Sequence, residues 1–193
     1  MGRLGERGLI DTFNDALQYS FSKSGKLESI IRSFFKNVDR VVDVSDMKRQ
    51  RCGVDYDVFF KSGEMCVIQV KWRKRKFSGD FLIEFCSVSA EPYPDEGDCK
   101  KLGWIYTIDA DYIFVIYEED DLLKVYPVSI LKLVWQENQR DWVNLYEIPS
   151  ARTYRNGNRY FTRNAAIPCN LLEQKMIEKF SFNYQRTLYS AYW

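Results

Sequence analysis

The chain has 193 residues, 46% of them apolar, and no histidine, a size that predicts one domain over 1–193 with a substantial core. Without imidazole there is no Ser-His-Asp triad, Cys-His pair or histidine-ligated zinc, so hydrolytic chemistry has to run on carboxylates, lysine and an oxygen-ligated metal. The net charge of +1 hides an uneven spread, +6 over residues 1–76, −9 over 77–139 and +4 over 140–193.

The opening "MGRLGERGLIDTF" is too charged for a secretory signal, and no apolar run approaches the roughly 18 residues of a membrane span. The expectation is a soluble, cytoplasmic protein with no membrane partner. The five cysteines (Cys52, Cys66, Cys86, Cys99, Cys169) are odd in number and lack a C-x-x-C pair, which predicts small reduced core residues.

Residues 11–22 read as a helix. A second begins after Ser24-Gly25, with Leu27, Ile30, Ile31, Phe34, Phe35 and Val38 at helical spacing and Glu28 in its first turn. Arg40 to Ser45 reads as a short strand, followed by the polar loop "DMKRQRCG". Strands at about 54–60 and 65–72 flank "KSGE", a short Gly-containing turn that closes a hairpin. A strand at 81–88 leads into the acidic loop "AEPYPDEGD". Ala110 to Glu119, β-branched and aromatic, predicts a central strand, and "LLKVYPV" another. The helix "SILKLVWQEN" takes Ser129 as its cap. A polar, arginine-rich segment follows, then a strand near "NAAIP" and a helix from about Asn170 to Phe180. The order predicts an α/β or α+β domain: a single mixed β-sheet flanked by helices.

Residues two apart in a strand share a face, so Asp55 and Asp57 point one way while Val54, Tyr56 and Val58 point the other. On the next strand Gln69 and Lys71 share a face. Pairing the two strands brings an acid, an amide and an ammonium together. Burying them unpaired costs several kcal/mol, so they are hydrogen-bonded, paired, or bound to a metal. Phosphodiester hydrolysis gives one reason for the set. Mg²⁺ prefers oxygen ligands, clamps a phosphate oxygen and acidifies a water, while an adjacent lysine neutralises growing charge. An Asp–Lys ion pair across a hairpin is the plainer alternative.

"GVDYDVFF…CVIQVKW" resembles the paired motif of the PD-(D/E)XK, or restriction-endonuclease-like, nuclease superfamily: an Asp at the start of one strand, a short hairpin, then acid-x-Lys on the next. "VVDVSDMKRQRCGVDYDV" is similar to the approach to that Asp in archaeal-type Holliday-junction resolvase-like and archaeal-virus nuclease-like proteins. "FLIEFCSVS", "GWIYTIDADYIFVIY" and "AAIPCNLLE" follow their layout, so the likeness spans roughly residues 25–180, with Gly53, Asp55, Gln69 and Lys71 its specific positions. It implies a restriction-endonuclease-like core over about 25–120, completed by strands and helices in 121–193. It also implies a Mg²⁺- or Mn²⁺-dependent DNA endonuclease acting on duplex, branched or junction DNA, a homodimer, and the host cytoplasm for a viral member.

Carried onto this chain, the resemblance makes Asp55 the metal carboxylate and Lys71 the catalytic lysine, with Glu28 as an additional metal-binding or water-activating acid. Gln69 departs from the pattern, which has Asp or Glu there; its carbonyl can still ligate Mg²⁺ but carries no charge. Glu28, Asp57 or Glu84 could compensate. The alternative function is a nuclease-fold protein that binds nucleic acid or a partner without turnover.

Each helper also has an ordinary structural role open to it. Glu28 favours a helix dipole, Asp57 suits a solvent-facing edge, and Glu84 either pairs with a base or joins the site. Asp109 and Asp111 suit a turn or strand start, and Trp104 suits the core. Arg73, Lys74, Arg75 and Lys76, with Arg152, Arg155, Arg159 and Arg163 among Tyr154, Tyr160 and Phe161, suit phosphates and exposed bases, or equally a solvated face. "SGKLES" lacks the upstream glycine and the Ser/Thr of a phosphate loop.

Overall fold

The computed structural model describes residues 24–73, 79–89, 99–155 and 158–190. The expected helix over 11–22 and the acidic loop 90–98 lie outside them. In chain order the elements are α1 (Ser24–Phe34), β1 (Val38–Asp43), α2 (Met47–Arg51), β2 (Tyr56–Phe60), β3 (Met65–Arg73), β4 (Asp80–Ser89), β5 (Cys99–Leu102), α3 (Trp104–Thr107), β6 (Tyr112–Tyr117), β7 (Leu122–Pro127), α4 (Val128–Tyr146), β8 (Glu147–Arg155), β9 (Asn158–Pro168) and α5 (Cys169–Ser190).

The strands form two sheets, not the single one expected. One is mixed and five-stranded, in the order β1-β2-β3-β6-β7, with β3 parallel to β6 and β6 antiparallel to β7. The other is antiparallel and four-stranded, in the order β5-β4-β9-β8. The arginine-rich stretch read as polar coil is the β8–β9 hairpin. Its long-range partner is β4, which therefore leaves the first sheet. Parallel pairing of β3 with β6 requires a crossover, and β4, β5 and α3 fill it.

The chain divides into two compact units, Met1–Val42 with Val58–Met65, and Asp43–Asp57 with Cys66–Trp193. In the first, α1 buries Leu27 and Ile31, one turn apart. Asn37 ends that turn with φ of +59°, a conformation asparagine tolerates better than most residues, and Phe35 meets Phe60 edge-on at 5.5 Å. Glu28 lies in the second turn of α1 rather than the first, since the helix already starts at Ser24.

In the second unit, Phe81 and Ile83 of β4, Ile113 and Val115 of β6, Leu131 and Trp135 of α4, Ile167 of β9 and Leu172 of α5 pack into one core. Each such buried side chain contributes about 1.5–3 kcal/mol relative to exposure. The strand read as central is so: β6 is buried from Ile113 to Tyr117. Helix α4 begins after Pro127, whose fixed φ suits a helix start, so Ser129 lies inside the first turn instead of capping it.

Cys86 and Cys99 are joined by a disulfide, which corrects the expectation of five reduced thiols; the β4–β5 pairing brings their Cα atoms to 5.8 Å, within bridging range. Cys66 and Cys169 are buried free thiols as expected, whereas Cys52 is exposed. No helix among the described residues is long and apolar enough to cross a membrane.

Candidate active site

Asp55 is placed by a short structured approach rather than by the polar loop expected at 46–53. Asp46 caps α2, its Oδ1 accepting from the Lys48 N–H at 2.7 Å. Gln50 Nε2 donates to the Val44 carbonyl at 2.6 Å. The helix ends at Arg51 with Cys52 as its cap, and Gly53 follows with a φ of +72° that turns the chain. A Cβ there would lie 2.7 Å from Gln69 Nε2 and 3.3 Å from Ile108 Cγ1, so glycine is required both by the left-handed backbone and by the amide packed on it. Two residues on, the Asp55 N–H donates to the Ile68 carbonyl and its own carbonyl accepts from the Val44 N–H, both at 2.9 Å.

With the backbone clamped on both sides, the Asp55 carboxylate turns toward β3, where Oδ2 accepts from the Val70 N–H at 2.7 Å. Val70 lies between Gln69 and Lys71, so the acid stands at the middle of the Gln-x-Lys segment. The predicted alternation holds: Val54, Tyr56 and Val58 are buried opposite the two acids.

Three observations describe the electrostatics. Among the described residues the buried Gln69 Oε1 has no hydrogen-bond partner, an arrangement that costs about 1–3 kcal/mol if nothing satisfies it. Burial pushes the Asp55 carboxyl above the usual carboxylate range, more than the Val70 N–H and Lys71 pull it back. Burial and the nearby Arg73 lower Lys71 from 10.5 to about 8, against the opposing pull of Asp55 and Glu84. Asp55 and Glu84 thus each act electrostatically on Lys71, yet Lys71 enters no ion pair among the described residues. Its ammonium stands over the Trp104 ring, 4.4 Å from the centroid. The Asp–Lys pair across a hairpin is therefore not what the structure contains.

Glu84 lies near enough for its charge to act on Lys71, while its Oε1 accepts from Ser87 Oγ at 2.6 Å. Asp57 does not, because Arg49 binds both its oxygens at 2.7 and 2.6 Å. Glu28 is exposed in the other unit and ion-paired with Arg32 at 2.7 Å. Asp111 is a strand-start residue, exchanging hydrogen bonds with the Val67 backbone.

Of the basic residues expected to hold phosphates, Arg73 is partly buried beside Lys71. Arg163 is engaged by Glu147 at 2.7 and 2.9 Å and lies over Phe85. The backbones of Arg152, Arg155 and Arg159 lie in the β8–β9 hairpin, with their side chains outside the description, as are Lys74, Arg75 and Lys76. The Arg49 clasp on Asp57 and the Trp104 contact with Lys71 carry no local sequence signal, since the partners are 8 and 33 positions apart.

No protein-family model matches the chain, nor does any curated protein or solved structure. Among the described residues no three Cys, Asp or Glu side chains cluster as a metal cage. A hydrated Mg²⁺, however, needs only one or two carboxylates beside its waters. The unsatisfied Gln69 oxygen and the only partly compensated Asp55 carboxylate are each hard donors of the kind such an ion takes.

Proposed function

We propose that this protein is a Mg²⁺- or Mn²⁺-dependent endonuclease hydrolysing phosphodiester bonds in DNA, with Asp55, Gln69, Lys71 and Glu84 as its site. The single observation carrying the reading is the buried, unpartnered Gln69 oxygen on the strand that receives the Asp55 carboxylate. Asp55 and the Gln69 carbonyl hold the ion, with Glu84 adding negative charge from β4. When bound, the divalent ion polarises the phosphate and lowers the pKa of an attacking water.

Lys71 supplies the rest. With its pKa near 8 it is largely protonated at pH 7, so it neutralises charge growing on the phosphate oxygens and fixes a water by hydrogen bonding. Poor solvation of the ammonium strengthens both effects, because its field is less screened than in water. Action on branched or junction DNA, and a homodimer presenting two such sites to two strands, extend the proposal on the strength of the motif.

Cleavage of plasmid and four-way-junction DNA, with and without Mg²⁺ or Mn²⁺, tests it. The expected result is metal-dependent cutting lost in both Asp55→Ala and Lys71→Ala; cutting that survives either substitution overturns the assignment.

One observation favours a second reading. Gln69 brings no charge where a metal site gains most from one, which suits a nuclease fold that binds nucleic acid without turnover. The Gln69→Glu variant separates the two: an enzyme short of one ligand charge gains metal affinity, whereas a binding module keeps salt-sensitive DNA binding with no turnover at any metal concentration.

A further inference from the structure

Resting on the reading above, we propose that Trp104 is a positioning residue for Lys71: its indole face, and not a carboxylate, decides where the ammonium stands. Lys71 is drawn by Asp55 and Glu84 and repelled by Arg73. A flexible four-carbon stem in that field would fold onto the nearest carboxylate unless something else held its head. The described residues offer one such support, the Trp104 ring 4.4 Å away. Tryptophan is the strongest aromatic partner for a cation, and the attraction grows as the cation loses water; Lys71 is half-buried.

The ring itself is held rigidly. Gly103 presses on β4 so closely that a Cβ would lie 2.1 Å from the Glu84 carbonyl oxygen, and its N–H donates to the Phe85 carbonyl at 3.0 Å. Ile105 within α3 and Ile108 at its C-terminal end are buried, Lys132 Nζ donates to the Ile108 carbonyl at 2.6 Å, and Phe81 packs edge-on to the indole at 6.0 Å. Glu84 and Trp104 are thereby fixed to one another through the Gly103 contact, so the residue that attracts Lys71 and the ring that supports it move as one body. A lysine kept off its acid leaves the Asp55 oxygens open to an ion and keeps its own N–H donors for the phosphate and water.

Two variants and two readouts test this. Trp104→Phe keeps an aromatic face and Trp104→Leu keeps only apolar bulk, so a packing role predicts equal effects and a positioning role does not. In metal-dependent cleavage, Trp104→Leu is expected to lose about 30-fold in kcat with little change in KM, and Trp104→Phe only about threefold, the range open to a desolvated cation–π contact. In NMR of lysine-labelled protein, the Lys71 ε-methylene protons are expected upfield from ring current in the wild type and in Trp104→Phe, and at ordinary positions in Trp104→Leu.

Equal losses in the two variants, or an unshifted Lys71 signal in the wild type, overturn the proposal while leaving the nuclease reading standing. A wild type that cuts no DNA with either metal, yet shows the Lys71 shift and keeps it in Trp104→Phe, overturns the nuclease reading and leaves the aromatic face as what holds the ammonium.

Discussion

Asp55 and Asp57 lie two residues apart on the same face of one segment, and the molecule treats them in opposite ways. Asp57 is bound through both oxygens by Arg49, a fork geometry that satisfies charge and direction together. Among the described residues Asp55 receives one backbone N–H and no side-chain cation in hydrogen-bonding contact, and its carboxyl is pushed up by burial. The Lys71 ammonium, whose charge acts on Asp55, stands over an indole. The difference separates a carboxylate that stabilises the fold from one the fold tolerates at a cost, and uncompensated groups of the second kind gather where chemistry is done.

The strongest way to break this comparison is to neutralise each acid. Asp55→Asn is expected to reduce metal-dependent cleavage by about 10²- to 10³-fold while Asp57→Asn changes it by no more than about threefold, given what single transition-state contacts supply. Stability is expected to move the other way: Asp57→Asn lowers it, since the Arg49 fork loses its charged partner, and Asp55→Asn stabilises the metal-free protein. Parallel cleavage assays and urea titrations check both. If the two substitutions act alike, the contrast between the acids is without consequence.

Lys71→Met comes next. A base lowered from 10.5 to about 8 contributes stability that is present above 10.5 and lost as pH falls through 8, so at pH 7 the folded state carries the full cost. At about 1.4 kcal/mol per tenfold change in protonation equilibrium, that cost reaches at most about 3.5 kcal/mol, less whatever solvent screens. Methionine keeps much of the stem and drops the charge. The variant should be more stable than wild type at pH 7 by denaturant titration, with the gap closing toward pH 10.5, and inactive in cleavage. A destabilised Lys71→Met would mean the ammonium is well solvated where it stands.

The same contrast marks what the sequence discloses. Period-two alternation identified the strands around Asp55 and Lys71, and the β-branched run at 112–117 identified the central strand, because both patterns are local consequences of which face is buried. Sheet membership is not local. β4 alternates as a strand in either sheet would, and only its pairing of Phe81 with Ile167 and Ile83 with Ala165 assigns it to the second. The β8–β9 hairpin did carry a signal, the Asn156-Gly157 pair between Arg155 and Asn158, outweighed by the surrounding charge. Within the site, the acid, amide and lysine were legible from spacing. The Arg49 clasp, the Cys86–Cys99 bond and the indole under Lys71 depend on folding remote segments together.

Gly53→Ala perturbs the same place by a smaller amount and without changing any charge. The left-handed backbone there costs a residue with a Cβ roughly 1–2 kcal/mol, and the new methyl would meet the Gln69 amide at 2.7 Å. Moving that amide should weaken Mg²⁺ binding while leaving the Arg49–Asp57 pair intact. Isothermal titration with Mg²⁺ alongside a melting curve checks it. Lost stability with unaltered metal affinity would show that Gln69 does not hold the ion.

The finest distinction is the pH dependence of the metal-free protein, read as the stability difference between Asp55→Asn and wild type so that other carboxylates cancel. An acid whose folded pKa is raised contributes stability that is complete below its unfolded value, near 4, and is lost as pH rises through the folded one. The two proteins should therefore be closest in stability at about pH 3–4, with the variant drawing ahead toward neutrality and then holding a constant lead. The lead is small because the Val70 N–H and Lys71 offset part of the burial cost. Saturating Mg²⁺ should erase or reverse it, since a divalent ion provides the compensation that Arg49 gives Asp57. A lead that is flat with pH would mean Asp55 feels no net burial cost, and a lead untouched by Mg²⁺ would mean the ion goes elsewhere.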